Sequence, residues 1–372
     1  MLNQVQFLLQ PLIIYNQLSM KIVEGLMKQI IRNNDKSPIH NCIIHLNNPR
    51  KNISYKHAFG HMNGSGGEVH HNYRFRAGSI TKTFTATIIM QLMEEDLLSL
   101  DDFFLDRLDQ KTREFLKDLL FYKAINYSKK ITISNLLEHR SGLRDYFTDD
   151  RFLKEIIKFP LKNWQWRNIM EKYFEYKLNT KGVFLPGEGF YYSDTNYLLL
   201  AVLIEQLTKM PFHLTLEKRI LEPLSLNDTY LEFYQEDKSS TPIVFPFFGS
   251  KDLKNTRSSF DWGGGGLISS ANDLDLFIRS LLSGRLFNRS TTLNLMTNFD
   301  NNSNLKKSRN IYGMGLQKKI IGDYNFIGHN SAYGGMMFYD LDSDLSIIFS
   351  TNQMSSQHKS EWLIKRLVEA NK

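Results

Sequence analysis

The stretch FRAGSITKTFTATIIMQLMEEDLLSLDD, residues 75–102, contains the strongest structural signals in the chain. Gly78 interrupts regular structure near its start. Behind this glycine, apolar residues recur every four positions, at Ile80, Phe84, Ile88 and Leu92. That spacing predicts an α-helix, and a helix with such a wide apolar stripe is normally surrounded by protein. We therefore expect a buried central helix that begins at Ser79.

Ser79 and Lys82 stand three residues apart at the predicted start of this helix. On a helix this spacing places both side chains on one face, about one turn apart, so the amine can take the hydroxyl proton. The helix dipole at this end favours a developing oxyanion and lowers the cost of a neutral lysine. The pair is therefore a candidate for nucleophilic catalysis.

The composition is that of a globular protein. The 372 residues are 42% hydrophobic, which is ample for a large core. The formal net charge of +7 comes from scattered basic residues that acidic residues nearly match in number, so we expect no nucleic-acid partner. Cys42 is the only cysteine and excludes an internal disulfide bond.

Residues 1–19 are predicted to be an extension of uncertain order. Their apolar run, residues 7–15, is too short to span a bilayer, so we expect no stable membrane span. No basic residue precedes this run and no small-residue cleavage site follows it, so a signal peptide is not indicated. An amphipathic membrane-facing tail is an alternative, and cytoplasmic, periplasmic and secreted locations all stay open.

Residues 20–372 are predicted to form one domain with a helix at each end, near residues 22–31 and 360–370. Two strands precede the central helix and three follow the helical middle of the chain. The predicted strands are Asn41–Leu46, Ile53–Phe59, Tyr324–His329, Gly335–Tyr339 and Leu345–Thr351. We expect an α+β fold in which they form one antiparallel sheet flanked by the terminal helices.

The same pattern divides the domain into two lobes. The sheet lobe comprises about residues 20–78 and 311–372, and a mostly helical lobe comprises about residues 79–310. Within the helical lobe, Ser134 and Ser270 are each predicted to cap the N-terminus of a helix. A site between the two lobes follows from this layout.

Two stretches invite a cofactor interpretation that we do not adopt. His61, His70 and His71 lie in a glycine-rich stretch, which is more typical of a mobile loop than of a preorganised metal cage. The glycine run 263–266 lacks the lysine and hydroxyl residue of a phosphate loop, so close backbone packing or a cleft wall explains it better. We expect no metal and no cofactor.

Tyr192 to Asp194 follow a Pro-Gly turn and precede the apolar run 198–207. They should therefore occupy a tight loop before a helix. A buried phenol beside a lysine can shuttle a proton, because the cation stabilises the phenolate. By itself, a tyrosine in such a loop is more often structural than catalytic, and the same holds for His139, for which we expect a packing or hydrogen-bonding role.

The ordered set of motifs resembles the serine beta-lactamase and penicillin-recognising hydrolase superfamily. It is most similar to the branch of class C beta-lactamases, D-alanyl-D-alanine carboxypeptidases, D-aminopeptidases and related esterases. The matching stretches cover nearly the whole chain from Met20. They are Ser79–Lys82 with the Leu-Ser-Leu-Asp-Asp ending, Ile131–Leu143, Pro186–Tyr197, Gly265–Asp273 and Gly328–Asn352.

The resemblance implies a role for each motif residue. Ser79 would be the acylated nucleophile, Lys82 its proton acceptor or electrostatic partner, and Tyr192 the group that protonates the leaving group or activates water. The backbone N–H groups of Ser79 and Ala332 would form the oxyanion hole. The third motif of the family would be supplied by His329, Asn330 and Ser331, as substrate-binding residues beside the nucleophile.

Three residues depart from the family pattern. Asp194 replaces an asparagine. Its carboxylate would favour a substrate with an amino group or would pair with Lys82. Ser331 replaces a glycine and adds a side chain where we expect substrate, so bulky beta-lactams should enter poorly. The third motif of the family is Lys-Thr-Gly or His-x-Gly, and His329 in place of the lysine carries a positive charge at neutral pH only if a partner raises its pKa.

The sequence thus predicts a metal-independent serine hydrolase that acts through an acyl-enzyme. Its substrates would be small molecules or short peptides, with D-amino-acid peptides ahead of small esters and beta-lactams third. A catalytically silent penicillin-binding-like ligand-binding or sensor protein is the main alternative, and a membrane-surface scaffold is a weaker one. The oligomeric state stays open.

Overall fold

The computed structural model describes residues 21–31, 35–63, 66–299, 310–354 and 356–370. The predicted extension, residues 1–19, lies outside the described residues. In the part of the chain that is described, no helix is both long enough and apolar enough to cross a membrane.

The strands are numbered in chain order. They are β1 Asn41–Asn48, β2 Ile53–Gly60, β3 Arg74–Arg76, β4 Phe121–Tyr122, β5 Ile125–Asn126, β6 Tyr230–Leu231, β7 Ile243–Val244, β8 Phe247–Phe248, β9 Lys251–Asp252, β10 Leu267–Ser270, β11 Asn310–Tyr312, β12 Gln317–Ile321, β13 Tyr324–Asn330, β14 Gly335–Asp340 and β15 Leu345–Thr351.

The helices are numbered in the same way. They are α1 over residues 21–30, α2 Thr81–Glu94, α3 Gln110–Leu116, α4 Ile133–Leu137, α5 Asp150–Lys158, α6 Trp166–Glu175, α7 Asp194–Thr208, α8 Phe212–Leu216, α9 Glu222–Leu224, α10 Trp262–Gly265, α11 Ala271–Leu282, α12 Ser290–Met296 and α13 Gln357–Ala370.

A seven-stranded antiparallel sheet joins the two ends of the chain. Its strand order is β11-β12-β13-β14-β15-β1-β2, and the closing pair is β1 with β15, where Ile44 lies opposite Phe349. The predicted α+β fold with one antiparallel sheet is therefore confirmed. A smaller sheet, in the order β6-β10-β3-β7, stands apart from it.

Both faces of the large sheet are covered by helices. Because side chains alternate along a strand, Ile44 and its equivalents pack on α1 and α13, whereas Ile43 and its equivalents face the main core. Helix α11 packs on this second face, with Phe277 in the main core. The sheet therefore contacts a helix from the stretch that the sequence analysis placed in the helical lobe.

The central helix is buried on nearly all sides, as expected. Its ring at Phe84 stacks on Phe277 with the centroids 3.5 Å apart, and the Thr85 hydroxyl donates to the Gly263 carbonyl at 2.6 Å. The predicted start was displaced, because Ser79 lies in a 3-10 turn, Gly78–Ile80, and the α-helix begins at Thr81. Ser79 therefore stands at the end of the helix, on the tight turn that enters it.

Two other local predictions were wrong. The sequence analysis found three strands at the C-terminal end, but β11 and β12 precede them. The lysines in β12 hide its alternation, and it is recognised only by its pairing with β13. Helix α4 is capped by Thr132 in place of Ser134, through a capping box with Asn135. The Ser270 cap of α11 is confirmed, since its hydroxyl accepts the Asp273 N–H at 3.2 Å.

The turn before α2 predicts that Gly78→Ala will destabilise the protein. Gly78 has a φ of +53°, and an added Cβ would collide with the Ser331 hydroxyl and come within 2.8 Å of the Tyr333 ring. We expect a loss of roughly 1–3 kcal/mol in the free energy of unfolding, measured by urea denaturation.

Gly67→Ala is the matched control for this variant. Gly67 has open space around its Cα and no positive φ, so the same added methyl group should change stability by less than about 0.5 kcal/mol. Equal urea midpoints for the two variants would show that the turn does not need glycine.

Candidate active site

A cleft of about 390 Å³ opens beside Ser79, where the turn before α2 meets the end of β13 and the loop before α7. Seven of the eight predicted site residues have atoms on its wall or directly beneath it. The residues on the wall include Ser79, Tyr192, Asp194, His329, Asn330 and Ala332, and Lys82 lies under them against Ser79. The structure thus brings together residues that are up to about 250 positions apart in the sequence.

Lys82 is fully buried and donates three hydrogen bonds. Its Nζ lies 3.2 Å from Ser79 Oγ and 2.7 Å from the Gly264 carbonyl oxygen, and it forms an ion pair with the Asp194 carboxylate. A lysine ammonium has three donors, so all of them are used. Burial lowers the pKa of Lys82, but the Asp194 charge and the interaction with Tyr192 more than reverse this effect and hold the pKa above its ordinary value.

The resting site therefore holds Lys82 as an ammonium, although the sequence analysis also allowed a neutral amine. The helix dipole favours a neutral amine, but a carboxylate in direct contact acts over a much shorter distance and outweighs it. Of the two roles considered for Lys82, the geometry fits the electrostatic partner, because an ammonium cannot accept a proton.

Tyr192 lies over Lys82, with Nζ 5.0 Å from the centre of its ring. Burial raises the pKa of Tyr192 to about 12, although the Lys82 charge and hydrogen bonding with Ser79 and Lys82 oppose the rise. The phenol is therefore protonated at neutral pH and lies within reach of both groups. This is the convergence of hydroxyl, amine and phenol on which the predicted mechanism depends.

Asp194 is the first residue of α7, directly after the loop that carries Tyr192. The sequence analysis left two roles open for this carboxylate, and the structure shows it paired with Lys82. The backbone N–H of Asp194 donates to Asp145 at 3.1 Å. Burial and the charge of Asp194 hold the pKa of Asp145 well above its usual range.

His139 supports the tyrosine loop from below. Its ring centroid is 4.2 Å from that of Tyr192, and its Nδ1 accepts the Ser193 N–H at 3.2 Å and lies 3.0 Å from Asn196 Nδ2. Burial and the Lys82 charge hold the pKa of His139 well below its usual range. The neutral ring therefore positions the loop, as the packing and hydrogen-bonding interpretation expected.

His329 is also neutral. Its Nδ1 lies 2.6 Å from the Asn330 carbonyl oxygen and its Nε2 lies 3.0 Å from the Tyr312 hydroxyl, so Nδ1 carries the proton and Nε2 accepts one. Burial and the Lys82 charge lower the pKa of His329 to about 3. The hydrogen bond with the Asn330 carbonyl raises this pKa but does not offset the burial, so His329 supplies no positive charge to a substrate.

The remaining residues of the third motif divide between cleft and core. Asn330 and Ala332 line the cleft, and no hydrogen-bond partner occurs among the described residues for Asn330 Oδ1. Ser331 is fully buried, and its hydroxyl accepts the Tyr333 N–H at 3.1 Å behind Gly78. The expectation that the Ser331 side chain obstructs the cleft was therefore wrong, because the turn directs it into the core.

Asp261 and Tyr333 belong to the site, although the sequence analysis did not select them. Both line the cleft, and the Tyr333 hydroxyl donates to the Asp261 carboxylate. Burial raises the pKa of Asp261 to about 7, although this hydrogen bond opposes the rise. Tyr333 lies within the matching stretch Gly328–Asn352 but was assigned no role there, Asp261 lies in no motif, and only the fold places the two together beside Ser79. The described residues contain no group of three histidine, cysteine or acidic side chains suited to a metal ion.

Comparison with known proteins gives relatives of one kind. A penicillin-binding protein of Bacillus subtilis (strain 168) is 29% identical over 182 residues, which are 48% of this chain and 35% of that protein. Beta-lactamase-like protein 4 of Dictyostelium discoideum is 26% identical over 220 residues, which are 57% of this chain and 36% of that protein. The chain thus matches little more than a third of the length of these relatives.

Solved structures share the fold over nearly the whole chain. A D-stereospecific amidohydrolase from Streptomyces sp. has a TM-score of 0.72 at 24% identity and covers 93% of this chain and 97% of its own. The D-amino acid amidase from Ochrobactrum anthropi SV3, complexed with L-phenylalanine amide, has a TM-score of 0.74 at 20% identity. The match covers 94% of this chain and 97% of the amidase chain.

The family itself is established by a match to its sequence profile over residues 49–370. That range includes the turn before α2, the loop before α7 and the end of β13. The resemblance drawn from the motifs is therefore confirmed, and the chain belongs to the beta-lactamase family of serine hydrolases.

Proposed function

We propose that the protein hydrolyses amide or ester bonds through an acyl-enzyme on Ser79. The observation that supports this most strongly is the position of Lys82 Nζ, 3.2 Å from Ser79 Oγ and beneath the Tyr192 phenol. Ser79 and Tyr192 are partly exposed and line the cleft, whereas Lys82 is fully buried beneath them, so a substrate carbonyl can reach the Ser79 hydroxyl beside the phenol.

In the proposed acylation, Ser79 Oγ bonds to the substrate carbonyl carbon. Tyr192 accepts the serine proton as it passes its own proton to the leaving group, so the phenol ends the step neutral. The Lys82 ammonium stabilises the negative charge that develops on Ser79 Oγ and on the Tyr192 phenol oxygen. The backbone N–H groups of Ser79 and Ala332 stabilise the negative charge on the substrate carbonyl oxygen. Water then attacks the acyl-enzyme and passes a proton through Tyr192 back to Ser79 Oγ. This breaks the ester bond to Ser79 and releases the acid.

The charges around the cleft favour substrates without a free carboxylate. The acidic side chains on its wall are Asp145, Asp194, Asp261 and Glu361, and no lysine or arginine occurs among the wall residues that the structure describes. His329, which stands where the family has a lysine, is neutral. We therefore rank amides and peptides of D-amino acids with a free amino group first, small esters second and carboxylate-bearing beta-lactams third.

The names of the two solved structures agree with the D-configuration in this ranking. An amidase or aminopeptidase type of substrate is favoured over the carboxypeptidase type, because a carboxypeptidase must hold the terminal carboxylate next to the scissile bond. In this cleft such a carboxylate would find no lysine or arginine among the described wall residues, and it would lie beside the acidic side chains of Asp145, Asp194 and Asp261.

A matched pair of substrates tests the charge preference. D-alanyl-D-alanine amide should be hydrolysed with a kcat/KM at least about tenfold above that of D-alanyl-D-alanine, since the second carries a carboxylate that loses its hydration beside acidic side chains. Release of D-alanine or its amide is measured by chromatography at pH 8. Faster hydrolysis of the free dipeptide would contradict the proposed preference.

Ser79→Ala should abolish covalent labelling by a fluorophosphonate probe, because the variant has no hydroxyl to form the bond. Ser54→Ala, at an exposed serine of β2, is the control and should label like the wild type. Intact mass reports the adduct. Labelling of the Ser79 variant would exclude this nucleophile, and wild-type labelling without turnover of any amide or ester would favour the silent binder.

Asp194→Asn tests the protonation state of Lys82. The Asp194 carboxylate raises the pKa of Lys82 and that of Tyr192, and the proposed relay needs both groups protonated. Removing this charge lowers both pKa values, so the alkaline limb of kcat/KM should shift to lower pH.

The opposite mechanism gives the opposite sign. If a neutral Lys82 accepted the serine proton, the acid limb would shift to lower pH and activity near neutrality would rise. Asp150→Asn, at an exposed position of α5, is the control and should leave the pH profile unchanged.

A further inference from the structure

A second cavity of about 360 Å³ adjoins the catalytic cleft. The two cavities share four wall residues, which are Phe147, Thr148, Tyr333 and Met354. We call the second cavity the side pocket. Since its walls are continuous with those of the cleft, one molecule can occupy both spaces.

The side pocket is lined mainly by apolar side chains. They come from α5 and from the chain around the β8–β9 hairpin, and they are Leu153, Ile156, Ile157, Phe248, Leu253 and Phe260. These residues differ in kind from the acidic wall of the catalytic cleft. A pocket of this size and character is typical of a binding site for an apolar group.

Two charged residues line the side pocket: Lys251 is exposed to solvent, and Arg76 is buried and already neutralised. Arg76 is buried, and it pairs with Glu232 through Nε at 2.8 Å and donates to the Thr256 carbonyl at 2.8 Å. Because this guanidinium has its partners within the protein, it does not call for an anionic ligand. The pocket therefore selects by apolar contact.

The outer rim of the pocket leaves large apolar side chains in water. Ile157 is 56% exposed and Phe248 is 55% exposed, although both line the pocket. An apolar group that enters between them removes this surface from water, and each methylene buried contributes about fourfold to binding or to kcat/KM, equivalent to about 0.8 kcal/mol.

The direction of the pocket identifies which part of a substrate it would receive. Tyr192, His329 and Asn330 line the catalytic cleft but not the side pocket. In the proposed mechanism the leaving group departs towards Tyr192, which protonates it. The side pocket shares none of these residues with the cleft and meets it at Phe147, Thr148, Tyr333 and Met354, so we assign it to the acyl group.

We propose that the side pocket binds an apolar acyl chain of the substrate, so that the enzyme prefers medium-length acyl groups over acetyl. This inference rests on the proposed acyl-enzyme function and names the substrate class more closely. The chain would pass from Ser79 between Phe147 and Tyr333 and end near Ile157 and Phe248.

A series of nitrophenyl esters tests the inference. For the wild type, kcat/KM should rise by roughly fourfold for each methylene from acetate through butanoate and hexanoate to octanoate, until the pocket is full. Ile157→Asp and Phe248→Asp place a charge on the rim, so each should lower the octanoate-to-acetate ratio at least about tenfold.

Ile125→Asp is the matched control for the rim variants. Ile125 is 58% exposed on the β4–β5 hairpin and lines neither cavity, so the same substitution should leave all four rates unchanged. Thermal melting of each variant shows that it is folded. Loss of the chain-length preference in the Ile125 variant as well would overturn the assignment to the pocket.

The outcomes also separate this inference from the proposed function. Acetate hydrolysis with a flat chain-length profile, or a profile that both rim variants retain, overturns the acyl-chain pocket and leaves the hydrolase intact. If neither the esters nor D-alanyl-D-alanine amide is hydrolysed, the proposed function fails, and calorimetry on Ser79→Ala decides the pocket. Tighter binding of N-octanoyl-D-alanine amide than of N-acetyl-D-alanine amide supports the acyl-chain pocket, and equal binding overturns it.

Self-association of the rim is a further outcome. A flat chain-length profile together with a dimer that Ile157→Asp abolishes would assign the rim to self-association and overturn the inference.

Discussion

The ion pair between Lys82 and Asp194 is the interaction on which the rest of the site depends. An ammonium with no exposure to water is tolerated only when a carboxylate and further acceptors replace its hydration, and here Asp194, Ser79 and Gly264 supply them. These acceptors come from α7, from the turn before α2 and from α10. The requirement to satisfy one buried charge therefore holds three separate elements together at the nucleophile.

The packing around this charge explains the shape of the nearby backbone. Gly78 turns the chain with a positive φ because Ser331 and Tyr333 occupy the space that a side chain would need. The same contact brings the end of β13 to Ser79, which places Ala332 on the cleft wall. The seven-stranded sheet that carries β13 is complete only when β15 pairs with β1. The site therefore depends on contacts between strands from the two ends of the chain.

Burial has opposite consequences for the basic and the acidic groups of the site. It keeps His139 and His329 neutral, and it raises the pKa of Asp261 to about 7. The cleft consequently offers acidic groups and hydrogen-bonding groups, with the buried Lys82 ammonium committed to its partners. Beside it lies an apolar cavity that shares its walls. The two environments suit opposite ends of one substrate, a polar scissile group and an apolar acyl group.

Much of this architecture could be predicted from the sequence because it depends on local periodicity and spacing. The apolar repeat after Gly78 predicted the central helix, and short strand-like runs predicted five strands of the large sheet to within a few residues. The ordered motifs indicated the family, and with it Ser79, Lys82 and Tyr192 as candidates whose catalytic roles are still predictions.

Properties that arise from contacts between distant residues were decided only by the tertiary structure. Whether Lys82 is charged depends on Asp194, which lies on another helix, and the direction of the Ser331 side chain depends on Tyr333 and Gly78. Strands β11 and β12 lack a clear local pattern and form through pairing. Asp261 and the side pocket likewise carry no motif, because a pKa set by burial and a cavity shared by several elements exist only once the chain has folded.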